Sequence, residues 1–586
     1  MPKYPKNELA QLVLQHCVIN EIENVIISPG SRNAPLTIAF VNHPDINTLS
    51  VVDERSAAFF ALGIAQQTRK PVVVLCSSGS ALLNYYPAVA EAFYSNIPLV
   101  IISADRPKHL IDIGDGQTIR QENVFENHIL FSANLKEEHT PDSSLSDSHR
   151  QGKISDVNNS IILNNKLIQK VFQSTIEQKG PVHINIPFDE PLYETVEELY
   201  GFEFKIEKYN NKILENSLLD EVPLEVKALE KFAAIWNNAS KKIVLIGANY
   251  PNDMLQTQLD HITKDPSVLV FTETISNVYN NKFINSIDQL IFSIDDDRKK
   301  YLQPEVLLTL GGMVVSKRIK QFLRRFQPQY HWHVDSLNAP DTYHCLSHHF
   351  RISPTLFFSQ FFFLTKNKTS DYQKYWLNIK NKRQIDHKKY LSTAEYSDLK
   401  VFEIILNSLP LNSHLQLSNS SIIRYAQLFD LNNTLQVFCN RGTSGIDGSS
   451  STAIGAAFAQ KKQTVFITGD ISFFYDSNAL WNKYIKKDLR IILINNSGGG
   501  IFRFIPGPKS TNALDYFETP HQLNASYLCE MFGFEYSSSK NQKTLNNQLK
   551  SFYKQSDKPK LLEIFTPSER NDKVLKEYFT SMDLTS

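Results

Sequence analysis

Short apolar runs that close on small polar residues recur along this chain, and they constrain its fold more than any other feature. NVIISPG at 24–30, PVVVLCSSGS at 71–80 and PLVIISADRP at 98–107 are of this kind. Helix-like stretches lie between them, DERSAAFFALGIAQQ at 53–67 and YYPAVAEAFYSN at 85–96. Strands of a few β-branched residues alternating with helical periods predict an α/β fold built on parallel sheets flanked by helices. In open parallel sheets ligands bind beyond the carboxyl ends of the strands, where these runs place their Ser, Gly, Asn and Asp residues.

The pattern repeats in three stretches. The middle one offers the candidate strands KIVLIGA, SVLVFTE, DQLIFSI, VLLTLGG and YHWHVD. The last offers LQLSNS, TLQVFCN, QTVFITGD and RIILINN. The polar stretch at 134–160 reads as mixed loop and helix, followed by a strand in GPVHINIP that returns to the first sheet. PFDEPLYETVEE, rich in Pro and acids, suits an exposed connection near residue 190, and SHHFRISPT and KNKTSDYQ read as a second linker. At 586 residues the chain exceeds what one core supports. Three α/β domains are therefore expected, at 1–190, 191–355 and 356–586, the outer two being similar and ligand-binding and the central one a scaffold.

Charge removes one class of partner. Lys plus Arg and Asp plus Glu both number 61, so no net positive field draws a nucleic acid. The five cysteines are scattered without metal-ligand spacing, which suits a reducing compartment. The first residues lack a signal-peptide pattern, and no stretch approaches eighteen uncharged apolar residues. A cytoplasmic protein without a membrane span is the expectation.

The sharpest local signal is TVFITGDISFFYDSNALWNKYIKKDLRIILINNSGGGIF at 464–502. Asp470 and Asn496 lie 26 positions apart, room for a helical crossover between adjacent parallel strands. A carboxylate, an amide oxygen, a main-chain carbonyl such as that of Gly498 and two diphosphate oxygens would give Mg²⁺ a hard ligand set. Gly498, Gly499 and Gly500 let backbone approach phosphates. The plainer alternative is that Gly-Asp and Asn-Asn are turn formers after buried strands.

This segment resembles the diphosphate-binding motif of thiamine-diphosphate enzymes, which opens on Gly-Asp, here Gly469-Asp470, and closes on a double Asn, here Asn495-Asn496. The resemblance implies that Gly469, Asp470, Ile471, Ser472, Asn496, Gly498, Ile501 and Phe502 hold thiamine diphosphate. It assigns Asp470, Asn496 and Gly498 to Mg²⁺, with Mn²⁺ as a possible substitute. It also implies a glutamate on the cofactor's aminopyrimidine nitrogen, contributed by another domain, usually from a second subunit. Glu54, in SVVDERSAAFFALGIAQ, follows an apolar run and opens an amphipathic helix, with Ser80 and Asn84 as further cofactor contacts. Such a glutamate favours the imino tautomer through which the cofactor removes its own thiazolium proton. The competing role for Glu54 is stabilising its helix N-terminus.

Further stretches are similar to one family in particular, 2-succinyl-5-enolpyruvyl-6-hydroxy-3-cyclohexene-1-carboxylate synthases of menaquinone biosynthesis. They are SPGSRNAPL, DERSAAFFALG, SSGSALLNYYPAVAEA, SADRPKHLIDIGDGQTIRQ, SKR, SNSSIIR, NRGTSGIDGSSSTAIGAA and NNSGGGIF, spanning residues 28–502. The resemblance implies decarboxylation of 2-oxoglutarate and 1,4-addition of the succinyl unit to isochorismate. It also implies a homodimer or homotetramer with active sites between subunits. By match to the family pattern, Ser31, Arg32, Arg106, Gln117, Lys317, Arg424 and Arg441 bind substrate. Ser420 and Arg318 are further candidates from the same pattern, and Arg32 and Arg441 join Glu54 as catalytic candidates. Planar guanidiniums suit this task because both substrates carry two carboxylates. Arg120 has the same character.

Asn33 and Ser80 depart from the family's usual Ser and Thr but keep hydrogen-bonding character. No adjacent histidine pair marks a pyruvate-type decarboxylase; His109 and His128 are isolated, and Cys76 and Cys439 read as buried small side chains. An acetolactate-synthase-like or benzoylformate-type lyase is the nearest alternative. A non-catalytic relative would be expected to lose Glu54, Asp470 or Asn496. A nicotinamide enzyme is disfavoured because no GxGxxG follows the first strand.

Overall fold

The computed structural model describes residues 3–137, 147–209, 222–292, 294–503, 507 and 510–582, with backbone alone for 147–159. Within the polar stretch, residues 138–146 lie outside the described residues, and a helix runs over Asp147–Gln178.

Among the described residues the chain forms three larger sheets whose strands all pair in parallel, a small antiparallel pairing of Tyr4–Pro5 with Thr195–Val196, and two compact units. The first unit comprises residues 1–215, 442–461 and 475–486; the second comprises 216–441, 462–474 and 487–586.

In the first unit the sheet runs Asn47–Ser50, Asn24–Ile27, Val72–Cys76, Leu99–Asp105, Val182–Pro187, Phe131–Asn134. Its inner strands Val72–Cys76 and Leu99–Asp105 are nearly continuous apolar runs buried along their whole length, as a parallel sheet covered on both faces requires. In the second unit one sheet runs Gln436–Cys439, His414–Leu417, Thr464–Gly469, Arg490–Asn495, Lys560–Phe565, Glu535–Ser539. Numbered along the chain, both sheets have the order 2-1-3-4-6-5, so the expected likeness of the two outer α/β modules holds at the level of topology. The remaining sheet, Val268–Phe271, Lys242–Ile246, Val306–Leu310, Tyr330–Val334, Leu346–Phe350, has the order 2-1-3-4-5. In each, the order reverses between the first and third strands, the position beyond which open α/β sheets bind their ligands.

Two readings need correction. DQLIFSI is not a strand: Ile287–Ile291 is helical, with Asp288 in its first turn. Ile287, Leu290, Ile291 and Ile294 repeat at helical spacing and are all buried. Part of the supposed linker, Leu346–Phe350, is the fifth strand of the central sheet. The helix Pro354–Phe361 also buries Leu356, Phe357, Phe358 and Phe361 in that sheet's core.

Caps and close approaches fix the helices that matter for function. Asp53 caps the helix Glu54–Thr68, its side chain accepting the Ser56 N–H at 3.0 Å. That helix crosses Ser449–Ala459 at two glycines. A Cβ on Gly63 would lie 2.1 Å from the Thr452 carbonyl oxygen, and one on Gly455 2.0 Å from that of Phe60. Backbone therefore packs on backbone. Gly63→Val is expected to cost about 3 kcal/mol, the upper end for overpacking, read as a lowered urea midpoint at unchanged slope.

Burial also sets the acid limit of stability. Desolvation pushes His16, His331 and His387 down to about 4, and His183 and His414 to about 3. Because their folded pKa values lie below the unfolded value, the unfolded chain binds more protons between about pH 4 and 6.5, and stability falls as pH drops through that window. Asp105 and Asp398, pushed up to about 6 by burial, and Asp476, to about 7, act in the opposite sense. The histidines outnumber them and shift as far, so the urea midpoint is expected to fall from pH 6.5 to 4, and His183→Gln to lessen that fall.

Candidate active site

The carboxyl edge of the six-stranded sheet in the second unit collects the diphosphate motif. Strands Thr464–Gly469 and Arg490–Asn495 are adjacent and parallel, Gly469 opposite Ile494. Asp470 and Asn496 thus leave neighbouring strands at the same edge, as the spacing predicts. The crossover is a short helix, Asp470–Tyr475, and a 3₁₀ turn, Ser477–Leu480. Asp470 Oδ1 accepts the Ile471 N–H at 2.7 Å, and Oδ2 accepts that of Gly498 at 3.0 Å. Asn496 Oδ1 is buried without a hydrogen-bond partner.

Beside this edge lies a cavity of about 240 Å³ lined by residues 496–500, Arg503, Glu518, Pro520, His521, Gln522 and Ser568. Gly498 must be glycine: its φ is 149°, and a Cβ would lie 2.7 Å from the Glu518 carbonyl. Arg503 donates two bonds to Glu518 and a third to the Ser568 carbonyl, bracing the loop that carries Ile501 and Phe502. Phe502 stacks on Phe517 at 5.3 Å. His521 accepts the Leu523 N–H at Nδ1, which leaves its ring N–H on Nε2, 3.3 Å from Asp470 Oδ2.

The oxygen donors suit a hard cation. Asn496 Oδ1 is free, Asp470 Oδ1 takes one amide bond and the Gly498 carbonyl one, from Gly500. Among the described residues no group of three His, Cys, Asp or Glu side chains is placed to hold a metal. This donor set is of a different kind, one carboxylate with an amide and a carbonyl.

Across the switch point of the same sheet sit the basic residues. Ser420, at φ 65°, precedes the helix Ser421–Ala426 that carries Arg424, and Arg441 follows the strand Gln436–Cys439. Arg441 Nη1 donates to Asn419 Oδ1 at 2.7 Å. Arg424 makes no hydrogen bond or ion pair among the described residues, and both Nε atoms are buried and unpaired. Burial, then Arg441, lowers the Arg424 pKa. Glu273 is buried here, its pKa raised by burial against the Val315 and Ser316 amides at 2.6 and 2.7 Å. Those bonds hold the start of the helix Lys317–Arg325, which Ser316 caps. Lys317 is exposed, whereas Arg318 lies over the Phe292 and Phe579 rings, 4.5 and 5.2 Å from their centroids. The sequence reading missed Lys320, half-buried in the field of Glu273, Arg441, Arg324 and Arg424. Its three-residue spacing from Lys317 on a helix was the available signal.

In the first unit Ser31, Arg32, Glu54, Ser80, Asn84 and Arg106 all follow carboxyl ends of strands. Arg32 is 5% exposed; Nη1 donates to the Phe188 carbonyl at 3.0 Å and Nη2 lies 3.4 Å from Glu190. Burial, then Arg106, lowers its pKa. Arg106 lies 3.3 Å from Asp115, and both arginines leave a buried Nε unpaired. Arg120, by contrast, is an exposed partner of Asp112. Gln117, at φ 57°, packs its backbone beside Gly79. Asn84 bonds the Ser80 carbonyl at 3.1 Å, and both side chains are exposed. Asn33 donates to the Ser28 carbonyl, a turn contact. Glu54 is half-buried; burial raises its pKa, against its own backbone amide. Asp53, not Glu54, supplies the side-chain cap of that helix. Burial raises the Cys76 thiol, so it is no nucleophile.

Comparison with known proteins shows the family. Residues 7–130 match the thiamine pyrophosphate enzyme N-terminal TPP binding domain, 233–417 the middle domain of thiamine pyrophosphate enzymes and 420–564 the C-terminal TPP binding domain. The chain is 52% identical over 585 residues to 2-succinyl-5-enolpyruvyl-6-hydroxy-3-cyclohexene-1-carboxylate synthase of Flavobacterium johnsoniae, covering 99% of this chain and 100% of that protein. The enzymes of that name from Flavobacterium psychrophilum and Porphyromonas gingivalis are 51% and 38% identical, over 99% and 95% of this chain and 100% and 94% of theirs.

Proposed function

The chain belongs to the 2-succinyl-5-enolpyruvyl-6-hydroxy-3-cyclohexene-1-carboxylate synthase family, and on that premise we propose how its residues divide the reaction between them. It is a thiamine-diphosphate-dependent transferase that joins the succinyl unit of 2-oxoglutarate to isochorismate with loss of CO₂. Thiamine diphosphate, when bound, supplies the electron sink for decarboxylation.

Glu54 holds a proton in a hydrogen bond to the aminopyrimidine nitrogen, a task its raised pKa favours. Asp470, Asn496 and the Gly498 carbonyl hold a divalent cation, Mg²⁺ or Mn²⁺, that anchors the diphosphate, and Ile501 and Phe502 cover the cofactor. Residues 1–190 carry pyrimidine binding, 191–355 the central domain and 356–586 diphosphate binding, with the helix Pro354–Phe361 adding to the central core. The active unit is a homodimer or homotetramer in which two subunits complete each site. No described helix is long and apolar enough to cross a membrane. A cytoplasmic setting is our proposal, supported by five cysteines that are all free thiols.

One observation supports the substrate assignment: Arg32 and Arg106, and likewise Arg424 and Arg441, lie close enough to repel, and each of the four keeps a buried Nε without a hydrogen-bond partner. Glu190, Asp115 and Glu273 offset part of that repulsion, and the free Nε donors leave room for the carboxylates of a bound substrate to offset more. Ser31, Gln117, Lys317 and Ser420 add donors, and Lys320 joins the second pair; Arg318 acts at most from its aromatic seat.

The test is turnover of purified protein with Mg²⁺, thiamine diphosphate, 2-oxoglutarate and isochorismate, followed by the mass of the product. The succinyl–cyclohexene adduct is expected. Succinic semialdehyde alone would sink the acceptor assignment, and turnover of pyruvate instead would favour an acetolactate-synthase-like enzyme.

A further inference from the structure

Asn495 and Asn496 each meet a buried carboxylate, and the two pairs leave the asparagines in opposite conditions. Asn495 is fully used: Nδ2 donates to Glu563 Oε1 at 2.8 Å and to the Leu523 carbonyl at 2.9 Å, and Oδ1 accepts the Ser497 N–H at 3.0 Å. Asn496 is half used. Its Nδ2 donates to Asp398 Oδ2 at 3.0 Å, and its Oδ1, buried, accepts nothing.

Asp398 is held from three sides. It opens the helix Asp398–Ser408 and is 2% exposed. Thr566 Oγ1 donates to its Oδ1 at 2.6 Å, and its backbone N–H donates to Asn571 Oδ1 at 2.8 Å. Thr566 in turn donates its N–H to the Asn495 carbonyl at 3.0 Å, closing the network onto the same dipeptide. Among the described residues no Lys or Arg pairs with Asp398, and it lies close enough to Asp470 for the two carboxyls to repel.

An amide can present either its oxygen or its NH₂, and only its hydrogen-bond partners choose. Asp398 Oδ2 accepts from the Asn496 NH₂, which leaves the amide oxygen on the other side. We propose that Asp398 is the positioning residue of the cation site, turning the Asn496 amide so that its oxygen faces the divalent cation. Outer-shell carboxylates orient ligands in this way and strengthen them as donors. The inference rests on the reading that Asp470, Asn496 and Gly498 bind that cation.

Mn²⁺ binding to the full-length protein in saturating thiamine diphosphate, followed by loss of the free-ion paramagnetic resonance signal, tests it without recourse to activity. Asp398→Leu is expected to weaken Mn²⁺ by about 10- to 100-fold, and Asp398→Asn, whose amide oxygen can still accept, to fall near the lower figure. A purely structural Asp398 would lower the urea midpoint and leave the Mn²⁺ affinity alone. If Asp398→Leu does not fold, the near-isosteric Asp398→Asn decides. Wild-type affinity in both Asp398 variants, with binding lost in Asn496→Leu, would overturn the proposal and spare the cation site. Wild-type affinity in Asn496→Leu as well would overturn the site and the proposal with it.

Discussion

Replacing Glu54 with glutamine is expected to lower kcat by about 10²- to 10⁴-fold, the range over which a positioned acid–base group acts. The substitution keeps size and hydrogen-bonding capacity and removes only the ability to exchange a proton. Asp53 supplies the helix cap, so Glu54→Gln leaves the helix Glu54–Thr68 intact and the urea midpoint close to wild type. The loss then reads as chemistry. Hydrogen–deuterium exchange at the cofactor's thiazolium carbon, measured by quenched NMR, is expected to slow by a similar factor. Unchanged exchange with reduced kcat would move Glu54 out of cofactor activation and into substrate handling.

Arg424→Met and Arg441→Met form the second large prediction. Truncating one partner of a buried charge pair costs about 2–5 kcal/mol, which corresponds to roughly 30- to 5,000-fold in kcat/KM. Their guanidiniums lie close enough to repel and each keeps an unpaired Nε. Both are assigned to one bound anion, so the double variant is expected to lose less than the product of the single losses. Strict multiplicativity would mean that the two arginines serve separate ligands. Because Arg441 also donates to Asn419, its variant is expected to lower the urea midpoint, whereas Arg424→Met, which breaks no hydrogen bond, is expected to leave it or raise it.

Much of this site was legible because the chemistry is written in short spans. Gly469-Asp470 and Asn495-Asn496 end two apolar runs, and a parallel crossover brings such ends together whatever the intervening residues. Arg106 follows its strand directly and Arg32 and Arg441 come within a few residues of theirs, so recognising the strand placed the residue at the carboxyl edge. Asp398, Glu563 and Glu273 were not legible. Each reaches its partner from a segment 40 or more residues away, across a contact that no local pattern encodes. DQLIFSI failed for another reason: a seven-residue apolar run fits either period, and its Asp288 lies in a helical first turn. The edge strand Glu535–Ser539, EYSSS, carries almost no apolar residue, and Lys560–Phe565 interrupts its run with Glu563, spent on the Asn495 contact; neither was read as a strand.

The glycine crossing of Glu54–Thr68 on Ser449–Ala459 bears on how the chain is made. A ribosome completes the first helix about 380 residues before it begins the second. At about 5–20 residues per second the Gly63 face waits roughly 20–80 s for the backbone that will cover it. The first unit therefore cannot finish folding from its own end of the message. A fragment ending near residue 215 would keep that groove bare for good, and a slow stretch of translation between the two helices would lengthen the time in which another chain's exposed helix could fill it.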